Sequence, residues 1–335
     1  MTLYDLDRRF PDEDTARAHL FRLRWRDGKV ACPRCGKPEK VYRRKPAAGQ
    51  AVSYKWVCKD PKACKGYGFS ITTGTIFEDT KIPLRDWFRV LLLMLTSKKG
   101  MSALQIQRTV FGQAVSRSTG KVRGKGSYET TWYMCHRLRA AMKSKGFAGL
   151  MGLSGIVEVD ETYVGGSASS AHRGNRGKNT SAKPGVRGNL VPPKAAVIGA
   201  IARKGNLVCK MIDHADRYTM NKFVRQTVNN HVSLVATDEH AGYARLEETN
   251  RHGFPGLPHE SVTHERGEYV KQTVRGVVHT ANIDSFWSLL KRGIMGSFHK
   301  VSRDYLPLYL AEFTYRHNSR DELNVDTFDR VLESC

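Results

Sequence analysis

The run Ile156-Val157-Glu158-Val159-Asp160-Glu161-Thr162-Tyr163-Val164-Gly165-Gly166 constrains the rest of the chain more than any other stretch. It reads as a short strand with apolar flanks that ends at two glycines. Period-two alternation places Glu158 and Asp160 on one face and Val157 and Val159 on the other. A carboxylate carried into a core by such a strand is costly unless a metal ion or a basic group stands beside it. The competing reading is a strand end running into a solvated turn.

The 335 residues allow two or three domains, and 40% hydrophobic residues suit a globular chain. A formal net charge of +23 resists compaction unless a polyanion offsets it, which points to nucleic acid. An anionic membrane surface is the alternative partner, but no long basic amphipathic helix is evident. The apolar run Val90 to Leu95 is far too short to span a bilayer. Met1 to Asp7 lacks a basic region followed by an apolar one, so no secretory signal is expected and a cytoplasmic location follows.

Four of the seven cysteines cluster. Cys32-Pro33-Arg34-Cys35-Gly36 is a knuckle in which one turn can aim both thiolates at a tetrahedral zinc ion. Cys58 and Cys64 supply a second pair, spaced more widely than usual, among Tyr54, Trp56, Tyr67 and Phe69. A zinc ribbon with four protein ligands, hence one structural Zn2+, is expected over 31–80. Four buried free thiols are the alternative.

A helical segment over 1–30, capped at Asp12 or Asp14, precedes the ribbon. Helices also fill 81–150: one through Trp87 to Leu95, a short one capped by Ser102, and one opening at Ser127 after a basic, glycine-rich gap. The last carries Arg137 and Arg139, and three helices with a basic final member suit a helix-turn-helix DNA-binding module. The loop 165–194 holds Arg173, Arg176, Lys178, Lys183, Arg187 and Lys194 and no acid, a composition suited to meeting phosphates.

Beyond it, 195–201 and 207–212 flank a hairpin turn, and Tyr218 to His231 reads as a helix. Ser233 to Thr237 is a buried strand that again ends in acid, Asp238-Glu239. A helix then follows His279, with Ile283, Phe286, Trp287 and Leu290 on its core face and a stop at Gly293. Asp284 and Lys291, two turns apart, project from one side, beyond the reach of an ordinary i,i+4 pair. A further helix covers Tyr305 to Asn318.

Together these pieces resemble the bacterial insertion-sequence transposases of the IS fifteen-ninety-five (ISXO-like) group. The resemblance rests on the Cys32/Cys35/Cys58/Cys64 ribbon, Thr72 to Phe77, Val157 to Gly166, Thr237-Asp238 and the Asp284–Lys291 helix, in that order over nearly the whole chain. It implies an α/β, RNase H-like mixed-sheet catalytic core over 151–335, with the basic loop 165–194 as an insertion. It also implies an acidic triad of Asp160, Asp238 and Asp284, followed by Lys291. The third acid is usually Glu, or Asn in part of the group, so Asp284 is a departure, with Asn282 nearby as a neutral alternative.

Such a triad would hold two Mg2+ or Mn2+ ions for in-line attack on a phosphodiester. Lys291, Arg292, Arg137, Arg139, Arg173, Arg176 and Lys178 are the expected contacts to double-stranded DNA. The expected activity is binding of terminal inverted repeats, cleavage of 3′ ends and their joining to target DNA. A homodimer or larger multimer on the nucleoid and no membrane partner are expected with it. A zinc-ribbon DNA-binding protein without catalysis and a metal-dependent nuclease without strand transfer are the alternatives.

Overall fold

The computed structural model describes residues 1–46, 52–115, 122–124, 126–143, 152–165, 194–249, 255–263 and 267–335. They divide into two compact units, Met1–Gly146 with Ser319–Cys335, and Phe147–Asn318.

The first unit opens with α1 (Leu3–Arg9) and α2 (Glu13–Arg24). Asp12 caps α2 by accepting the Thr15 amide at 2.7 Å, which settles the choice between Asp12 and Asp14. Strands β1 (Val41–Arg43), β2 (Lys55–Cys58) and β3 (Tyr67–Ser70) form an antiparallel sheet. Trp56 of β2 stacks against Phe21 and Phe69 and meets the edge of Trp25. The Arg24 guanidinium donates to the carbonyls of Ile71 and Thr73, which fastens α2 to the segment after β3.

Helix α3 (Leu84–Thr96) starts behind Pro83, and the Glu13 carboxylate accepts the amides of Leu84 and Arg85 at its first turn. Eight of its residues are buried, so it is the spine of this unit. Ser102 caps α4 (Ala103–Val110) by accepting the Gln105 amide. The gap expected after α4 contains an antiparallel pair, β4 (Gln113–Val115) and β5 (Val122–Gly124), before α5 (Tyr128–Lys143).

The second unit is built on five strands: β6 (Ile156–Val164), β7 (Ala195–Ala202), β8 (Leu207–Ile212), β9 (Leu234–Thr237) and β10 (His259–Ser261). Their order is β10-β9-β6-β7-β8. β6, β7 and β8 pair antiparallel in succession, whereas β9 runs parallel to β6 and β10 parallel to β9. The sheet is therefore mixed, and β6 lies at its centre, where its antiparallel and parallel halves meet.

Both faces of the sheet are covered. Val157, Val159, Ile198 and Val235 pack against Met220, Phe223 and Val224 of α6 (Arg217–Thr227). Helix α6 ends short of the expected His231 because Val228 turns extended and bridges Leu153. On the other face Val197, Ile201 and Leu207 pack against α7 (Ala281–Gly293) and α8 (Leu306–Asn318). A small antiparallel pair, β11 (Lys271–Thr273) and β12 (Gly276–Val278), leads into α7.

Gly293 does not stop α7 as expected. It keeps helical torsion angles, and the chain continues as a π-helix over Ile294–Phe298. That wider winding accompanies Ile294 in the core and Phe298 beside Tyr309, with ring centroids 4.7 Å apart.

The last helix, α9 (Asn324–Glu333), belongs to the first unit, so the expected 151–335 catalytic segment is corrected at its C-terminal end. The reason lies in α9's apolar face. Phe328 is fully buried, its ring 5.5 Å from Phe88 and 6.5 Å from Phe10. Asp329 adds contacts of 2.8 Å to both Arg9 and His19.

Candidate active site

Helix α7 lies along β6 because carboxylates of β6 hold it there. Glu158 is fully buried, and its Oε2 accepts the amides of Asn282 (2.8 Å) and Ile283 (3.3 Å) in the helix's first turn. Its Oε1 accepts from Asn282 Nδ2 at 2.7 Å and Arg203 Nε at 2.8 Å, with His279 Nδ1 at 3.2 Å. Two residues on, Asp160 Oδ2 accepts from the indole Nε1 of Trp287 at 2.9 Å. Five helical residues rise about 7.5 Å, and two strand residues about 6.7 Å, so the two contacts keep step. Asp160 pairs with Gly199 of β7, where an added Cβ would stand 2.7 Å from the Trp287 ring. Only a glycine leaves room for that indole.

Asp160 opens into a cleft of about 740 Å³ that is also lined by Glu161, Asp284, Trp287, Ser288, Lys291 and Arg292. Positions 284, 287, 288 and 291 recur at helical spacing, so one stripe of α7 forms the wall facing β6. Asp238 stands just past β9, next to β6, and its Oδ1 accepts the His240 amide at 3.1 Å. One carboxylate oxygen from each of Asp160, Glu161 and Asp238 lies within 4.8 Å of the other two. Asp284 is exposed in the same cleft, outside that cluster, and accepts from the Thr280 hydroxyl at 3.0 Å.

Burial, then the charges of Glu161, Asp238 and Asp284, push the Asp160 carboxyl up to about 8. Burial also raises Glu161, against the opposing effect of the Tyr243 hydroxyl that donates to it at 2.8 Å. A divalent cation would relieve this crowding. An octahedral Mg2+ sets neighbouring ligand oxygens about 3 Å apart and opposite ones about 4.2 Å apart, and the three oxygens here lie within 4.8 Å of one another. The donor set is all oxygen, as a hard cation requires.

Cys32, Cys35, Cys58 and Cys64 form a second cluster. The Sγ atoms of Cys32 and Cys64 are 3.7 Å apart, and those of Cys35 and Cys58 are 3.8 Å apart. Tetrahedral zinc with bonds of 2.3 Å requires an S···S edge of about 3.8 Å, so the four thiols fit it. The wide Cys58–Cys64 spacing closes because Asp60 accepts the Lys62 and Ala63 amides, and Gly66 takes φ +90° to turn into β3. Backbone N–H groups of Cys35 and Arg34 hold the Cys32 thiol below its ordinary value despite its burial. Burial and the neighbouring thiols push Cys64 up.

The family of the ISXO2-like transposase domain matches residues 152–318, which include all of β6 to α8. The transposase zinc-ribbon domain of the same group matches residues 11–66, which include all four clustered cysteines. The chain belongs to the ISXO2-like transposase family. An uncharacterized protein in transposable element ISH50 of Halobacterium salinarum is similar at 26% identity over 97% of this chain and 98% of its own length. Membership makes the chain a transposase with a zinc ribbon of four clustered cysteines. Among the described residues no helix is long and apolar enough to cross a membrane.

Within this transposase fold the residues singled out from sequence divide. Asp160, Asp284, Lys291 and Arg292 line one cleft, and a carboxylate oxygen of Asp238 lies within 4.8 Å of one on Asp160. Asn282, the neutral alternative to Asp284, is engaged with Glu158. Arg139 is only 2% exposed, and Arg137 donates to the carbonyls of Ile76 and Glu78 while lying over Tyr133. Arg139 is thus turned into its own unit, whereas Arg137 stays part-exposed. Arg173, Arg176, Lys178 and most of the 165–194 loop lie outside the described residues.

Sequence reasoning missed Glu161, Trp287's polar contact, Gly199, His240 and Tyr243. Strict alternation sends Glu161 to the face opposite Asp160, and the pairing of β6 with β7 stays regular through both; Glu161 meets Asp238 and Tyr243 because β6 runs on past its pairing with β9. Trp287 reads as core by its spacing, and its Nε1–H has no signature in sequence.

Proposed function

We propose that the chain is a DNA transposase that binds the terminal inverted repeats of its element, cuts 3′ ends and joins them to target DNA. The observation that carries this reading is the approach of Asp160, within β6, and Asp238, just past the adjacent β9, beside a cleft walled by Asp284, Lys291 and Arg292 of α7. The central β6, with antiparallel strands to one side and parallel strands to the other, supports an RNase H-like core.

When bound, two Mg2+ or Mn2+ ions supply activation of the attacking hydroxyl and stabilisation of the leaving oxygen during in-line displacement. Asp160 and Asp238 would hold them from the sheet, and Asp284 from the helix. Lys291 and Arg292, exposed on the same wall, would hold the phosphates on either side of the scissile bond. Trp287, donating to one oxygen of Asp160, would hold that carboxylate in place and leave its other oxygen for a cation. The ribbon, with one structural zinc ion, and the helices of the first unit would bind the repeats, and the net charge of +23 would give them electrostatic reach on the nucleoid. Joining two ends calls for at least two copies in the active complex.

The test is a plasmid carrying the DNA that flanks the gene, incubated with wild type or Asp160→Asn, with Mg2+, Mn2+ or chelator. Nicking at a repeat end, lost in the variant and with chelator, is expected, together with joined products. Nicking without joining would leave a nuclease. Equal binding by both proteins with no cleavage by either would leave a DNA-binding protein.

A further inference from the structure

We propose that Glu161 is a metal-ligating residue, a fourth carboxylate that binds the ion shared by Asp160 and Asp238. The inference rests on the reading of this cleft as a divalent-metal centre. β6 is regular at Glu161 and turns it to the face opposite Asp160, yet beyond the pairing with β9 its oxygen lies within 4.8 Å of ligand atoms on both Asp160 and Asp238. Asp284, the third acid expected from the family, is not in that set.

The surroundings of Glu161 are those of a ligand. Its side chain is 8% exposed. Tyr243, itself buried, donates to Oε2 at 2.8 Å. His240 accepts the Gly242 amide on Nδ1 at 3.0 Å, so its neutral form carries the proton on Nε2, which lies 3.7 Å from Glu161 Oε1. Tyr243 therefore holds Oε2 in place, while His240 stands near Oε1 beyond hydrogen-bond distance. Each carboxylate oxygen has two lone pairs, so a lone pair on each remains for a cation. Donors that orient a ligating carboxylate are the usual outer partners of a metal site.

A purely structural role, clasping the 238–243 segment to β6, is less well supported. That segment has other fastenings: Asn221 Nδ2 of α6 donates to the Gly242 carbonyl at 2.9 Å and to the adjoining Ala244 carbonyl at 3.4 Å. Neither needs a charge on Glu161. A glutamate here also bears on the shortened third acid, because it supplies a carboxylate from β6 where Asp284 does not reach.

The test is Mn2+ titration of the full chain followed by electron paramagnetic resonance of the free ion, for wild type, Glu161→Gln, Glu161→Asp, Asp284→Asn and Asp160→Asn. Gln keeps an oxygen for Tyr243 but loses the charge, and Asp keeps the charge but loses reach. Both Glu161 variants are expected to weaken the tighter ion about tenfold or more, and more than Asp284→Asn does. Wild-type affinity in Glu161→Gln overturns the proposal. So does wild-type affinity in Glu161→Asp alone, which would mean that only the charge matters. If wild type binds no Mn2+, or Asp160→Asn binds as wild type does, the metal-centre reading itself fails and the inference goes with it. Thermal melts of the metal-free variants, unchanged from wild type, separate ligand loss from misfolding.

Discussion

The indole of Trp287 donates to Asp160 at 2.9 Å while its ring occupies the space left by the missing side chain of Gly199. One tryptophan thus joins α7 to two strands at the position where the first acid is presented. Trp287→Phe keeps the packing and removes the donor. Metal-dependent cleavage is expected to fall about 10- to 100-fold, with a small change in melting temperature. Cleavage rates at saturating Mn2+ beside a thermal melt check it, and unchanged cleavage would sink the positioning role.

Gly199→Ala tests the same relationship from the other side. The added Cβ meets the Trp287 ring at 2.7 Å and 2.8 Å and Ile283 at 3.1 Å, all in a packed core. Overpacking of this kind costs about 1–3 kcal/mol. Denaturant unfolding should show that loss, and cleavage should fall with it as the indole is displaced.

Glu158→Gln addresses the clamp on α7. It leaves the Arg203 guanidinium and the first-turn amides facing a neutral group in a fully buried position. Breaking a buried pair from one side costs about 3–5 kcal/mol. Hydrogen exchange should show residues 281–293 opening before the rest of the sheet, and protection equal to wild type would contradict the clamp.

The crowding of Asp160 makes stability depend on pH. Its folded value of about 8 lies above the ordinary 3.8, so the folded state holds the proton more tightly than the unfolded state does. The metal-free protein therefore loses stability as pH rises from about 4 to about 8. Saturating Mg2+ replaces the proton and should flatten that slope, as should Asp160→Asn. Calorimetry of Mg2+ binding at pH 7 in buffers of different ionisation enthalpy should record proton release.

Zinc removal should act on the ribbon. The four thiols fit one ion, and small ribbons depend on it for folding. A strong chelator, or Cys58→Ser, should release one zinc per chain, lower Trp56 burial as read by fluorescence, and abolish repeat binding. Binding that persists without zinc would assign DNA recognition to the helices instead.

What the sequence disclosed follows from which interactions are local. The cysteine knuckles, the cap at Ser102, the β7–β8 hairpin and the stripe from Asp284 to Lys291 are written within a few residues of one another and can be read directly, while the first cap is narrowed only to Asp12 or Asp14. The face shared by Glu158 and Asp160 follows from strand period alone. Glu158's partners do not, because Arg203 is 45 residues away and Asn282 is 124 away. The same holds for Glu161 and Tyr243, 82 residues apart, and for Arg139, whose burial depends on how α5 is rolled against its neighbours. A hydrophobic period marks which face of a helix goes inward, but not which cation is carried in with it.

The return of α9 to the first unit sets an order of events during synthesis. Phe328 completes the aromatic contact between Phe10 and Phe88, and Asp329 joins Arg9 to His19. A ribosome must therefore translate the whole catalytic segment before the N-terminal unit can close its core. A nascent chain is kept from finishing its N-terminal unit until residues 147–318 are already made, and premature termination would leave that unit without the helix that completes its core.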